Sequence, residues 1–101
     1  MPVTISISGR SMKAMISGEI DHHGAGEIMA ELNREIDAAL PNRLELDLSG
    51  VTFMDSSGIA VLLRAHQRMG QLDGRLTVSS IPAQPRRVLD AAGVGRIISL
   101  Q

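Results

Sequence analysis

From Leu44 to Leu48 every second residue is a leucine, and Glu45, Asp47 and Ser49 fill the alternate positions. Successive strand side chains point to opposite faces, so this run predicts a strand with one face in a core and the other toward water. A strand covered on both faces would instead read as a near-continuous apolar run. The chain therefore needs a layer of structure on one side of a sheet and little on the other. Val3, Ile5 and Ile7 alternate with Thr4, Ser6 and Ser8, and Gly9-Arg10-Ser11 turns the chain into a second run from Met12 to Ser17, which predicts an N-terminal hairpin. The period then changes. Ala25, Ile28, Met29, Leu32, Ile36 and Ala39 recur at three- and four-residue spacing, the apolar stripe of a helix that stops near Pro41.

The Leu44 strand is expected to close at Ser49-Gly50, with Val51 to Met54 a further segment leading into a second helix. That helix carries Ile59, Leu62, Leu63, His66 and Met69 as its stripe and has Gly70 near its end. Leu76-Thr77-Val78 is a short fourth strand, Ser80 and Pro82 mark the start of a third helix around Val88 and Leu89, and Gly93 stops it. Ile97 to Leu100 is the last strand. The order β-β-α-β-α-β-α-β places the chain in the α/β class. It predicts a single domain over residues 1–101 with a mixed sheet of four to five strands. The hairpin comes first, parallel β-α-β units follow, and the helices lie mainly on one face.

Composition narrows the function. Ten Lys+Arg against 11 Asp+Glu leave a formal net charge of −1, which gives no electrostatic case for nucleic acid or an anionic membrane. No cysteine is present, which excludes disulfides, thiolate metal sites and a thiol nucleophile. The single aromatic residue, Phe53, leaves the core to Leu, Ile, Val, Ala and Met and provides no stacking platform for bases. The chain opens on Met1-Pro2-Val3-Thr4 without the basic-then-apolar run of a signal peptide, and no segment has the apolar length of a membrane span. A cytoplasmic protein is expected.

In a parallel α/β sheet, function belongs to the loops beyond the carboxyl ends of the strands. Two such loops carry unusual residues, Asp21-His22-His23 after the second strand and Asp55-Ser56-Ser57 after Val51 to Met54. A helix N-terminus has unpartnered N–H groups and the positive end of the macrodipole, so a phosphate can be accommodated there. A serine in that first turn suits a phosphorylation switch. Equally, Asp55 and Ser56 suit plain N-capping, and Asp21 reads as N-cap of the first helix. Gly24 and Gly26 weaken the start of that helix, where glycine costs up to about 1 kcal/mol relative to alanine. Ser56 with His22, His23 and Asp21 lacks a G-x-S-x-G elbow, adjacent histidines rarely share one ion, and no phosphate-binding glycine loop occurs. Neither catalysis, a metal site nor nucleotide binding by this chain is expected. His66 reads as a core or boundary histidine, and Arg86 and Arg87, at the wrong end of the third helix for dipole complementarity, as a solvated face.

Three stretches carry a family resemblance: Gly18-Glu19-Ile20-Asp21-His22-His23, Phe53-Met54-Asp55-Ser56-Ser57-Gly58-Ile59 and Leu89-Asp90-Ala91-Ala92-Gly93-Val94. In order and spacing they resemble the signature stretches of the STAS domain, and in particular of bacterial anti-sigma factor antagonists. The resemblance spans nearly the whole chain and implies a cytoplasmic switch protein without catalytic activity. Its implied partner is an anti-sigma factor that is also an ATP-dependent serine kinase, opposed by a serine phosphatase. ATP and magnesium would belong to that kinase, so no cofactor is expected here. Carried over by position, the phosphoacceptor is Ser56, with Ser57 as second choice. Asp21, His22, Asp55, Ser57 and Gly58 form the acceptor's surroundings and the partner contact. Family members commonly continue past the last strand into another helix, whereas this chain ends at Gln101. The expectation is an uncovered edge or helix face that invites weak homodimerisation, or a shortened fold. Two other readings stand beside the switch: an accessory subunit of a transporter or ATPase complex, since STAS-like domains also dock on transporter ATPases, and a small hydrolase using Ser56.

Overall fold

Gly9 takes φ +61° in a two-residue Gly9-Arg10 turn, a backbone conformation that glycine adopts without steric cost. That turn folds β1 (Val3–Ser8) antiparallel onto β2 (Ser11–Ile20), with Ser8 opposite Ser11 and Val3 opposite Ile16. The computed structural model describes residues 2–101. After the hairpin come α1 (Ala25–Ala39), β3 (Arg43–Met54), α2 (Ser56–Gln71), β4 (Arg75–Ser79), α3 (Ala83–Ala91), a 3-10 turn at Val94–Arg96, and β5 (Ser99–Leu100).

The five strands form one sheet in the order β1-β2-β3-β4-β5, antiparallel only at the hairpin and parallel thereafter. Each β-α-β crossover moves the chain one strand further in the same direction. Right-handed connections then place all three helices on one face, and α2 packs against both α1 and α3. Leu44, Leu46 and Leu48 are buried beneath that layer with Met12, Ala14, Ile16, Leu76 and Val78. The open face is polar: Lys13, Glu45 and Thr77 form one cross-strand row, and Lys13 Nζ lies 3.6 Å from Asp47 and 3.9 Å from Glu45. The one-sided burial written in the leucine alternation is thus the architecture of the domain.

Four expectations are corrected. β3 does not close at Ser49-Gly50 but runs on to Met54 as a 12-residue strand. An irregularity in the β2–β3 register lies there, between Met15 and Ser17. A Cβ on Gly50 would come within 3.0 Å of the Ser17 Cβ, so this glycine permits close strand approach and does not terminate the strand. In α2 the buried stripe is Gly58, Val61, Leu62, Ala65 and Met69, while Leu63 is exposed and Ile59 and His66 are half-buried. Small residues on that face let the helix sit close to the sheet, which a count of large apolar residues overlooks. Asp21 is not the N-cap of α1; Gly24 holds that position, without a side-chain cap. Finally, Ile97 and Ile98 precede a two-residue β5, because the chain turns through Val94–Arg96 before it rejoins the sheet. Phe53, the single aromatic, is 42% exposed, so the core is wholly aliphatic.

Candidate functional site

β2 and β3 lie side by side and parallel, and Ile20 is opposite Met54 at their carboxyl ends. The Asp55 N–H donates to the Ile20 carbonyl at 3.2 Å. This bond carries the ladder one residue past β3 and brings the Asp21 turn beside the start of α2. The two loops that sequence singled out, 30 or more residues apart along the chain, are therefore neighbours at one end of the sheet.

Each loop is organised by its own aspartate. Asp55, in extended conformation, is the N-cap of α2: its Oδ1 accepts from the Ser57 N–H at 2.7 Å, and its carbonyl accepts from the Gly58 N–H at 3.0 Å. Asp21 Oδ1 accepts from the Gly24 N–H at 2.8 Å and the His23 N–H at 3.0 Å, while its carbonyl accepts from the Ala25 N–H at 2.9 Å. The Gly24 bond first, and then that from His23, holds the Asp21 carboxyl below its ordinary pKa. Gly24 has a structural reason to be glycine, since a Cβ there would lie 3.0 Å from the Glu19 carbonyl oxygen and 3.5 Å from Asp21 Oδ1. The close approach that lets its N–H reach Asp21 offsets the low helix propensity of the position. His22 and His23 are exposed, with their rings edge to face at a centroid distance of 5.5 Å.

Ser56 is the first residue of α2 and is exposed; Ser57 is half-buried with its N–H committed to Asp55. Gly58 is buried, and a Cβ there would fall 2.4 Å from Met54 Cγ. Its bare backbone lets the first turn of α2 settle on the end of β3, so the surface of the site consists of Asp55, Ser56 and the Asp21 turn, with Gly58 beneath it. The N-terminal end of α2 is already served by the Asp55 carboxylate. A further anion on Ser56 would find the Ser57 and Gly58 N–H groups taken and two carboxylates close by.

One positioning residue escaped the sequence reading. β4 pairs with β3 only as far as Asp47–Ser79, so β3 outruns it. Gln84, in the first turn of α3, fills the exposed edge: its Oε1 accepts from the Met54 N–H at 2.8 Å and its Nε2 donates to the Met54 carbonyl at 2.8 Å. A side-chain amide thus imitates a strand neighbour directly before Asp55. No local pattern marks a glutamine for this purpose, because its partner is 30 residues away.

The comparisons with known proteins agree with this fold. The STAS domain model matches residues 3–101. The anti-sigma F factor antagonist of Paenibacillus polymyxa is 29% identical over 85 residues, 84% of this chain and 73% of the relative. That of Lysinibacillus sphaericus is 30% identical over 78 residues, 77% of this chain and 67% of the relative. Among solved structures, the anti-sigma factor antagonist SpoIIAA in its unphosphorylated form superposes with a TM-score of 0.82 at 21% identity, over 98% of this chain and 87% of that one. The phosphorylated form of SpoIIAA from Bacillus gives a TM-score of 0.73 at 21% identity, over 98% and 90%. At such identity these structures speak for the fold.

Proposed function

We propose that this chain, which belongs to the STAS domain family, is an anti-sigma factor antagonist that works by partner switching. In the unphosphorylated form it binds an anti-sigma factor that is also a serine kinase and so frees a sigma factor or a comparable target. Phosphorylation of Ser56 ends that binding, and a serine phosphatase restores it. ATP and magnesium enter with the kinase. Two curated relatives named as anti-sigma F factor antagonists support the general role, and the existence of SpoIIAA in both unphosphorylated and phosphorylated forms supports a fold that tolerates the modification.

The observation that carries the reading is the placement of Ser56: exposed, at the first position of α2, directly after a capping aspartate that has used the neighbouring N–H groups. Phosphorylation adds about −1.5 to −2 charges and three acceptor oxygens. Asp55 has already engaged the Ser57 and Gly58 N–H groups, and Asp21 stands in the adjoining turn, so the phosphate gains less from its own helix and remains directed at solvent. An apposed partner surface that accepts a hydroxyl would have to desolvate that dianion, which costs several kcal/mol when unpaired. Asp21 and His22 supply the adjoining contact surface, and Ser57 is the second candidate acceptor.

The test is intact-mass analysis and phosphopeptide mapping after incubation with ATP and a serine kinase encoded in the same genome, using wild type, Ser56→Ala and Ser57→Ala. One added phosphate that is lost only in Ser56→Ala is expected. Loss in Ser57→Ala alone would move the acceptor by one residue, and no phosphate with any encoded kinase would overturn the switch.

A further inference from the structure

A cleft of about 870 Å³ lies at the amino ends of β2, β3 and β4, the opposite end of the sheet from Ser56. That is within the size range of small-molecule sites. Arg43 and Arg75 both line it, and the parallel register sets them directly opposite each other, with Ser11 next in the same row on β2. Neighbouring strands are only about 4.8 Å apart, and like charges so placed disfavour the sheet. Ion pairs neutralise three other cations: Arg68 with Asp37 at 2.9 Å, Arg86 with Asp90 at 3.4 Å, and Lys13 with two carboxylates. Among the described residues neither Arg43 nor Arg75 has a carboxylate within ion-pair distance.

The arrangement is anchored. The Asn42 N–H donates to the Arg10 carbonyl at 2.9 Å, and the Arg75 N–H donates to the Asn42 carbonyl at 3.0 Å, so the starts of β3 and β4 are fastened to the hairpin turn. A Cβ on Gly74 would come within 2.9 Å of the Asn42 carbonyl oxygen, and this close contact keeps the beginning of β4 against β3. Two carboxylates also line the cleft. Glu45 is engaged, accepting from the Ser79 hydroxyl at 2.6 Å and lying 3.9 Å from Lys13 Nζ, whereas Asp73 sits at the rim in a left-handed turn with φ +55°. With Lys13 and Glu45 engaged with each other, Arg43 and Arg75 are left with Asp73 as the one other carboxylate among the lining residues.

We propose that this cleft binds a small non-aromatic dianion of the phosphomonoester or pyrophosphate class, clamped between the Arg43 and Arg75 guanidinium groups with the Ser11 hydroxyl as a further donor. Planar guanidinium groups match phosphate oxygens in a bidentate way, and two of them at strand spacing offer more donors than one phosphate has oxygens. The single aromatic, Phe53, is at the far end of β3, so a nucleobase has no ring to stack on. A bound dianion also relieves the Arg43–Arg75 repulsion, which couples binding to stability.

Amide and arginine Nε–H NMR spectra of the whole chain, titrated with inorganic pyrophosphate at low ionic strength, provide the test. Expected are saturable shifts with an apparent Kd at or below about 1 mM, confined to residues 8–13, 42–45 and 73–77. Affinity should fall about tenfold or more in Arg43→Gln and in Arg75→Gln, with no change in Arg87→Gln. Melting supplies an independent readout: each glutamine variant at position 43 or 75 should melt no lower than wild type without ligand and lose the rise in Tm that pyrophosphate gives wild type. Shifts shared equally by arginines outside the cleft, or unaltered in the Arg43 and Arg75 variants, would overturn the proposal, as would the absence of saturable shifts.

Discussion

A methyl group at position 58 has no room, since Met54 Cγ, itself in a fully buried side chain, stands 2.4 Å from where it would be. Gly58→Ala is expected to destabilise the domain by about 1–3 kcal/mol, read as a lower urea midpoint at unchanged m. Combination with Met54→Ala should recover part of the added loss, and additive effects would refute the clash. Asp55 acts through its cap. Asp55→Ala should lose about 0.5–2 kcal/mol while Asp55→Asn, an equally good cap, stays near wild type; equal losses would mean that charge and not hydrogen bonding is at work. Two aspartates connect stability to pH. The Asp47 carboxyl is lowered by the Ser49 N–H it accepts from at 2.9 Å and further by its own Ser49 hydroxyl and Lys13 neighbours, and that of Asp21 is lowered by Gly24 and His23. Both therefore bind protons less readily folded than unfolded. Their contribution is whole above the unfolded aspartate pKa, near 3.8, and is lost as pH falls through the lower folded values. Asp47→Asn should accordingly flatten the fall in stability below about pH 4, measured as urea midpoints across an acid series.

At the scale of elements, the junction between β3 and α2 depends on α3. Gln84 supplies both hydrogen bonds that β4 is too short to give Met54. Gln84→Ala leaves a partly buried N–H and C=O without partners and should cost about 1–3 kcal/mol. Its specific sign is faster hydrogen exchange at the Met54 amide, with the β3–β4 amides from Arg43 to Asp47 unchanged; uniform acceleration would indicate only global loss of stability. The existence of β1, β2, α1 and α3 was legible because each carries its own period and its own stop, such as Gly93 with φ +69° after α3. The full length of β3 was not. Gly50 looks like a terminator until the Ser17 Cβ, on another strand, is placed 3.0 Å from its missing side chain. The stripe of α2 misled for a related reason: Leu63 looks like core but is exposed, while Gly58 and Ala65 are buried because the sheet comes close there.

For the whole molecule, the sheet separates two ends. Ser56 and the two aspartate turns lie at the carboxyl ends of β2 and β3, and the Arg43–Arg75 cleft lies at the amino ends. Modification at one end leaves the leucine core between them untouched, so phosphorylation of Ser56 should leave the far-UV circular dichroism unchanged and move Tm by no more than about 5 °C. Leu46→Ala, at the centre of that core, should cost about 2–5 kcal/mol. A phosphorylated form that unfolds as readily as this variant would argue for a switch by local melting in place of charge.

The sequence by itself determined the class, the order of elements, the one-sided sheet and the three stretches that resemble the STAS family, because periodicity, turn residues and short motifs are local and survive without knowledge of partners. Asp55 as the cap of α2 was legible in the same way, and local geometry settled that Asp21 caps its own turn; only the tertiary structure decided that Gln84 closes the edge of β3 and that Arg43 faces Arg75. The last two are contacts between residues brought together by helix docking and strand register. A one-residue slip in pairing changes every such neighbour while leaving the linear pattern of the chain the same.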